Sequence, residues 1–378
     1  MTRSDGNLSI RRQEIGIVEG QDTVNPSVLV MGAGSGAGNN LAAGLRSAIP
    51  SVIVVGCHDD PFTLKKSLAG RNYLLGPSPD VDELAWIIDK EGVDLVIPTS
   101  DAHVMLLSEH REVLGAHVWL PAKRVIDLCQ DKYDLAMKLA RHGVAVPASL
   151  PVTDYEGLDA IVEKLRWSPR LWCRVRSGSR SLGAVPVSNA HQARAWIELW
   201  QTLRGVDPAS FMLAEYLPGR DYFCQSLWDH GRLVLVKTCE RISYFGAENS
   251  PSGMASLYSL AKTVDEPAVV ETCVRAVRAL DPSATSTFGI DLKENAAGIP
   301  CITEINAGRI QIGMITIGRV GAHDMVDCYA RLGLGWSLPP IEDPYDCPPD
   351  YYTVRDIDAP AGIFHADDII DGFLRPGD

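Results

Sequence analysis

Near its start the chain reads Ser27-Val-Leu-Val-Met31, and Gly32-Ala-Gly-Ser-Gly-Ala-Gly38 follows at once. The unbroken apolar run predicts a buried strand, and the spacing of apolar residues in Asn39 to Ala48 predicts a helix. Glycines between a strand and a helix let backbone amides approach an anion at the helix N-terminus. This opening indicates an α/β domain.

The same alternation continues to about residue 125. Strands are predicted at Ser51 to Val55 and Asp94 to Pro98, and helical spacing appears at Val81 to Glu91 and Val104 to Leu114. Strands that alternate with helices at this spacing favour a doubly wound parallel sheet. We therefore expect a Rossmann-like domain over residues 27–125, preceded by a polar, aperiodic and mobile arm over residues 1–26.

The glycine turn alone leaves two interpretations open. A nicotinamide-binding unit has an acidic residue about twenty residues further on, at a strand end, to hold the ribose. Here Gly56-Cys-His-Asp-Asp60 offers an acid only approximately in that place. The turn either binds NAD(P) or serves as a packing turn or a small-substrate loop.

Charge and composition exclude several classes of protein. The net charge of the 378 residues is −13, which argues against a broad nucleic-acid or anionic-membrane surface. No apolar run reaches the roughly 18 residues of a membrane span. Nine widely spaced cysteines without a Cys-x-x-Cys pair predict reduced thiols and give no indication of zinc. We expect a cytoplasmic protein whose residues 341–378 form an acidic tail on the outer surface.

A cation followed by a small-residue loop marks the next region. Trp172-Cys-Arg174-Val-Arg176-Ser-Gly178-Ser-Arg180-Ser-Leu-Gly183 puts Arg174 on a predicted strand before a flexible loop. A strand-borne arginine with a mobile Gly/Ser loop can clamp phosphate oxygens. A solvated basic hairpin is the alternative.

Oxygen ligands follow on a later pair of predicted strands. In Ile302-Thr-Glu304-Ile-Asn306, Glu304 and Asn306 alternate with apolar residues and should share a face. Asp291 would join them if Ala296-Ala-Gly298 turns a hairpin. Such ligands suit Mg²⁺ that bridges nucleotide phosphates, whereas an edge strand with outward polar residues is the alternative.

Taken in order, these motifs resemble the ATP-grasp superfamily, and within it the carbamoyl-phosphate synthetase large-subunit branch of carboxylate–amine ligases. The resemblance covers roughly Ser27 to Gly335 and includes Asp131-Lys132, the hinge Glu215-Tyr-Leu-Pro-Gly219, and Glu304-x-Asn306 with Arg309. It implies an α/β ATP-grasp fold with a Rossmann-like pre-grasp domain and two α+β lobes. These lobes would be a small one over residues 126–210 with the glycine loop and a large one over residues 211–340 with the metal site.

The resemblance also implies roles for individual residues. Nucleotide contacts would come from Lys132, Arg174, Ser177, Gly178, Ser179, Gly183, Glu215, Tyr216, Leu217 and Asp221. The catalytic cations would be Arg174, Arg241 and Arg309, and the magnesium ligands Asp291, Glu304 and Asn306. The Gly/Ser-rich segment Ser243 to Ser259 looks like a mobile loop that closes over the triphosphate. Arg174 and Ala214 depart from the usual residues of the family.

The function so implied is an ATP- and Mg²⁺-dependent ligase that activates a carboxylate as an acyl phosphate for attack by an amine. Its partners would be a small-molecule carboxylate and a small-molecule amine, with no nucleic acid and no membrane, and a homodimer is one alternative for the assembly. Two other functions stay open: an NAD(P)-dependent oxidoreductase that uses the glycine turn, and a non-catalytic ATP-binding module.

Overall fold

The computed structural model describes residues 25–76, 81–115, 118–178, 183–250, 252–253, 255, 257–356 and 362–368. The predicted N-terminal arm lies almost entirely outside them. The described strands form three sheets, of four, seven and four strands.

The first sheet is parallel and carries the glycine turn. Its strands lie in the order β3-β2-β1-β4, and every residue of the first strand is buried. This confirms the strand predicted at residues 27–31, because an unbroken apolar run suits a strand covered on both faces. The elements are β1 (Ser27–Met31), α1 (Gly36–Ala48), β2 (Ile53–His58), α2 (Pro61–Leu64), β3 (Arg71–Leu74), α3 (Val81–Glu91), β4 (Leu95–Ile97), α4 (Asp101–Glu109) and α5 (Arg111–Leu114).

Two helices lead to a small antiparallel sheet. Asp131 ends the first and caps the second, where it accepts hydrogen bonds from the backbone N–H groups of Tyr133 and Asp134. The elements are α6 (Lys123–Gln130), α7 (Lys132–Arg141), β5 (Ser149–Pro151), α8 (Leu158–Lys164), β6 (Leu171–Val175), β7 (Val185–Val187), α9 (Ala190–Arg204) and β8 (Phe211–Glu215).

Strand β8, which follows the boundary expected between residues 210 and 211, lies in the small sheet. Strand β8 pairs with β5 and β6, so that the small sheet runs β5-β8-β6-β7. The sequence does not predict this pairing, because the partner residues of β5 and β8 are 61 to 65 positions apart.

A seven-stranded antiparallel sheet forms the third unit, in the order β13-β12-β9-β10-β11-β14-β15. The turn at Gly298, whose φ is +74°, joins β12 to β13 and confirms the predicted hairpin. The elements are β9 (Asp221–Asp229), β10 (Arg232–Tyr244), β11 (Tyr258–Thr263), α10 (Pro267–Leu280), β12 (Ser286–Glu294), β13 (Pro300–Ala307), α11 (Ile312–Ile317), α12 (Met325–Gly333), β14 (Tyr351–Val354) and β15 (Gly362–His365).

Where the structure describes the acidic tail, it adds strands β14 and β15 to the edge of this sheet. Strand β14 pairs with β11, and the buried Lys237 lies 3.4 Å from a carboxylate oxygen of Asp346. The backbone N–H of Val236 donates to the carbonyl of Pro344. The acid-rich composition conceals a four-residue strand, because four residues give too little periodicity to recognise.

The hydrophobic core is shared between units. Leu29 and Val96 of the first sheet belong to the same buried cluster as Phe288 and Ile290 of the large sheet. The nine cysteines are free, and eight of them are buried. Burial raises the pKa of Cys57 and Cys173 to about 12. Within the described ranges no helix is long and apolar enough to cross a membrane.

Candidate active site

A cavity of about 890 Å³ lies where the three sheets meet. Its walls include Thr99 from the first unit, Arg174 from the small sheet and Asp291 from the large sheet. The volume is in the range of pockets that enclose small molecules. The fold therefore brings most of the predicted site residues into one enclosed space.

Two cations converge on one carboxylate in this cavity. Lys132, the first residue of α7, is 6% exposed, and its ammonium lies 3.8 Å from Glu304 Oε2. Arg174 on β6 donates to the same oxygen at 3.2 Å. Burial lowers the pKa of both cations, although the negative charge of Glu304 opposes the shift. These two groups form a positive pocket that fits the predicted phosphate contacts.

The predicted glycine loop is only partly described. Lys132 Nζ donates a hydrogen bond to the carbonyl oxygen of Gly178. The backbones of Ser177 and Asp131 form an isolated antiparallel β-bridge. Ser179 lies outside the described residues. Gly183 is buried, and a Cβ there would approach Phe211 to 3.0 Å, so its place in the structure is one of close packing.

The hinge residues follow the small sheet directly. Glu215, Tyr216 and Leu217 line the cavity beside Trp172 and Met212, which gives a largely apolar wall suited to a purine ring. Glu215 Oε2 accepts a long hydrogen bond, 3.4 Å, from the backbone N–H of Ala148, and burial raises the pKa of Glu215.

Asp221, the predicted ribose ligand, already holds two partners. Its Oδ1 accepts from Arg241 Nη1 at 2.9 Å, and its Oδ2 accepts from the hydroxyl of Tyr244 at 2.6 Å. Each carboxylate oxygen keeps a further lone pair, so a ribose hydroxyl can still bind there.

Arg241 links the predicted nucleotide and metal groups. It also donates to Asp291, so one guanidinium lies between two carboxylates. Burial lowers its pKa, but Asp291 and Asp221 outweigh this and the net pKa is raised. The expected mobile loop is shorter than Ser243 to Ser259, since β10 continues to Tyr244 and β11 begins at Tyr258. Ser256, which the sequence places in this expected loop, lies outside the described residues.

The three predicted magnesium ligands lie together. Asp291 and Glu304 are register partners across β12 and β13, and Asn306 Nδ2 lies 3.4 Å from Asp291 Oδ2. In the described chain no three His, Cys, Asp or Glu side chains form a metal cluster. The set here has two carboxylates and an amide.

Gln311, which the sequence analysis does not identify, extends this set. It is 7% exposed and donates to Asp291 Oδ1 at 3.0 Å, while its own Oε1 is buried without a hydrogen-bond partner among the described residues. A buried acceptor without a donor next to a carboxylate is an environment that a cation can satisfy. These oxygen donors therefore fit Mg²⁺, which prefers hard oxygen ligands.

Arg309 contacts the first unit. It forms two hydrogen bonds to Asp101, from Nε at 2.6 Å and from Nη2 at 3.1 Å, and Nη2 also donates to Asn306 Oδ1. Asp101 is the first residue of α4, after its N-cap Ser100. The capping pattern predicts a helix start there but gives no indication of a partner 208 residues away.

The glycine turn is covered by its own domain. A Cβ at Gly34 would lie 1.9 Å from the carbonyl oxygen of Thr63, so α2 packs directly on the turn. Asp60, a candidate ribose acid, instead caps α2. This packing at Gly34 disfavours a dinucleotide site. Gly32, Ser35, Gly36 and Ala37 of the same turn line the shared cavity, so the turn can serve as a packing turn or as a small-substrate loop.

Comparisons with known families and structures agree with this fold. Residues 129–312 match the family of the ATP-grasp domain. The fold is similar to L-amino acid ligase from Bacillus licheniformis, at 14% identity and a TM-score of 0.64 over 87% of this chain and 79% of that one. It is also similar to N5-carboxyaminoimidazole synthetase from Staphylococcus aureus, at 14% identity and a TM-score of 0.63, over 87% and 82%.

A third similar structure contains nucleotide. It is the biotin carboxylase domain of 2-oxoglutarate carboxylase from Hydrogenobacter thermophilus, in complex with MgADP, ADP and bicarbonate. The identity is 15% and the TM-score 0.65, over 87% of this chain and 73% of that one. No curated protein matches the sequence. The predicted fold class, with a parallel-sheet domain and two antiparallel lobes, is confirmed.

Proposed function

Because residues 129–312 match the ATP-grasp domain family, we propose that this protein is an ATP- and Mg²⁺-dependent ligase that joins a carboxylate to an amine through an acyl phosphate. The family match supports ATP-dependent, ligase-type activity. The observation that carries the finer proposal is the convergence of Lys132 and Arg174 on Glu304, beside Asp291. When MgATP binds, its phosphates can pair with the two cations and its magnesium ion can bind the carboxylates.

The protein residues act by position and charge. Lys132 and Arg174 bind phosphate oxygens, and the wall at Tyr216 and Leu217 orients the base. Asp291, Glu304, Asn306 and Gln311 would hold Mg²⁺, which supplies neutralisation of the phosphate charge. Arg309 holds the oxygens of the reacting carboxylate or acyl phosphate. Phosphoryl transfer needs little covalent chemistry from the protein, so this arrangement suffices.

The narrower parts of the proposal rest on the sequence. The order of motifs supports the carbamoyl-phosphate synthetase large-subunit branch, a small-molecule carboxylate and amine as substrates, and a cytoplasmic location. An oxidoreductase that uses the glycine turn is disfavoured by the packing of α2 on Gly34. A non-catalytic ATP-binding module would have the same cavity and would not release ADP.

A screen of ADP release tests the proposal. Amino acids and small acids are offered in pairs with MgATP, and we expect ADP and phosphate in equal amounts with at least one pair. Glu304→Gln preserves side-chain shape and should abolish turnover and raise the magnesium requirement, whereas Glu163→Gln on the exposed face of α8 should not. Nucleotide binding without ADP release from any pair would indicate the non-catalytic module.

A further inference from the structure

The C-terminal segment contributes a cation to the cavity that neither the phosphates nor the metal ligands require. Arg355, just after β14, lines the cavity. Its Nη1 is buried and has no hydrogen-bond partner among the described residues. Arginine stays protonated even when buried, and a buried charged donor without an acceptor is costly. An acceptor from a ligand would remove that cost.

The surroundings hold the guanidinium in place. The backbone N–H of Arg355 donates to the carbonyl of Ser259 at 2.8 Å, and its guanidinium carbon lies 5.0 Å from the centre of the Tyr258 ring. Tyr258 stacks on Phe223, with ring centres 5.5 Å apart. Stacking on a ring leaves the edge of the guanidinium free for a planar, two-oxygen ligand.

Arg241 offers an internal comparison. Its guanidinium carbon lies 4.8 Å from the centre of the Phe223 ring, so the two arginines contact the same pair of stacked rings. Arg241 is neutralised by Asp221 and Asp291. No carboxylate of the described residues pairs with Arg355 in this way. Of the two, Arg355 is the one that has charge available for a ligand.

The backbone at Arg355 is also distant from the strand that carries Asp291. Strand β14 lies four strand spacings from β12, the strand of Asp291, which is roughly 19 Å across the sheet. A Cβ at Gly313 would lie 2.5 Å from the Tyr258 ring, so the ring beneath Arg355 is held by close packing. Arg355 therefore has a fixed place in the cavity wall, and its charge is not paired as that of Arg241 is.

We propose that Arg355 binds a carboxylate group of a substrate, remote from the group that reacts, and so determines substrate specificity. The inference rests on the proposed function, since it assigns one end of the same cavity. A carboxylate matches the planar edge of the guanidinium with two parallel hydrogen bonds. That carboxylate belongs either to an amino acid that serves as the amine or to a dicarboxylic acid that serves as the acid.

Matched probes separate these two sources. The full chain is held with Mg²⁺ and a non-hydrolysable ATP analogue, and ligand binding is measured by thermal shift and calorimetry. The amine arm compares each amino acid with the amine left when its carboxylate is removed. The acid arm compares glutarate with butyrate. The variants are Arg355→Gln, Arg355→Lys and, as a matched control, Arg278→Gln, whose guanidinium lies 5.9 Å from the Trp228 ring outside the cavity.

We expect the wild type to prefer the carboxylate-bearing member in one arm. Arg355→Gln should weaken that probe at least tenfold, Arg355→Lys should weaken it less, and Arg278→Gln should leave it unchanged. The affinity for the ATP analogue should stay constant in all variants. With a substrate pair that turns over, the loss should appear in KM more than in kcat.

Three results would overturn the proposal: wild-type probe affinity in Arg355→Gln, no preference in either arm, or an equal loss of affinity for the ATP analogue. These outcomes are distinct from failure of the ligase. Turnover with an unchanged KM in Arg355→Gln would contradict the carboxylate site and leave the proposed ligase function intact. Binding that depends on Arg355, without ADP release from any substrate pair, would contradict the ligase function and leave the carboxylate site intact.

Discussion

Arg309 and Asp101 form a two-point ion pair between the large sheet and the parallel-sheet domain, with Nε to Oδ1 at 2.6 Å and Nη2 to Oδ2 at 3.1 Å. Burial lowers the pKa of Arg309, and the hydrogen bond and charge of Asp101 outweigh this to raise it. The cation proposed to hold the reacting group is thus itself oriented by a residue of another domain. Domain position and chemistry are coupled through this pair.

Asp101→Asn should therefore reduce kcat on the order of tenfold or more while the Kd for MgATP changes little. The amide keeps the shape but loses the charge that fixes Arg309, and we expect a stability loss of about 1 to 3 kcal/mol from the weakened partner. Steady-state kinetics and urea unfolding measure both effects. Asp127→Asn removes an exposed pair with Lys123 and is the control. A wild-type kcat in the Asp101→Asn variant would show that Asp101 does not position Arg309 for the reaction.

Gly289→Ala should raise the Mg²⁺ concentration needed for half-maximal activity several-fold. A Cβ at Gly289 would lie 2.7 Å from Cγ of Gln311, so the side chain that supports Asp291 must move. Overpacking of this kind costs about 1 to 3 kcal/mol in stability.

The matched control is Gly70→Ala, where a Cβ meets its nearest atom at 3.6 Å. A magnesium titration of activity and a melting curve distinguish the two effects. Equal magnesium requirements in both variants would show that Gln311 does not support the metal ligands.

His103 predicts a loss of stability in mild acid. Burial lowers the pKa of this cavity residue to about 4, whereas the unfolded chain titrates near the usual value of 6.5. As the pH falls below 6.5, His103 becomes protonated in the unfolded state but stays neutral in the folded state. The free energy of unfolding therefore decreases towards pH 4. The contribution between pH 7 and pH 5 is on the order of 2 kcal/mol.

His103→Gln should flatten this dependence by a similar amount, and urea unfolding at pH 7 and pH 5 measures it. His191→Gln on the surface of α9 should behave as the wild type does. An unchanged slope in His103→Gln would mean that other groups cause the acid sensitivity.

Asp346→Ala should destabilise the fold by about 2 to 4 kcal/mol, because it leaves the buried Lys237 without its carboxylate. Asp346 also accepts from the backbone N–H groups of Ala322 and His323. Thermal unfolding compares it with Asp367→Ala, whose side chain is 90% exposed. Equal melting temperatures of the two variants would show that Asp346 does not stabilise the attachment of the acidic tail to the sheet.

The sequence predicts the elements with strong local signals. The bounds of β1 agree with the predicted strand, since an apolar run with clear ends defines it. Strand β11 begins inside the segment expected to be a mobile loop and β14 lies in the acidic tail, and neither strand is predicted. Their pairing with each other stabilises both, and pairing over that distance leaves no local pattern.

The site shows the same division. Residues in recognisable motifs, such as Arg174 and Glu304, line the same cavity and contact each other. Asp101, Gln311 and Arg355 reach the cavity from a helix start, a loop and the C-terminal segment. Each of these residues is identified as part of the site only by its contacts with residues far away in the sequence. The spacing of residues along the chain does not predict such contacts.

The buried cysteines give each sheet its own reporter of local unfolding. Cys57 lies in the parallel sheet, Cys173 in the small sheet and Cys239 in the large sheet, and burial raises the pKa of all three thiols. A thiolate is the reactive form, so an alkylating reagent at neutral pH modifies these residues only when their sheet opens. Mass spectrometry of the time course of alkylation therefore orders the opening rates of the three units in the unlabelled, unmutated protein.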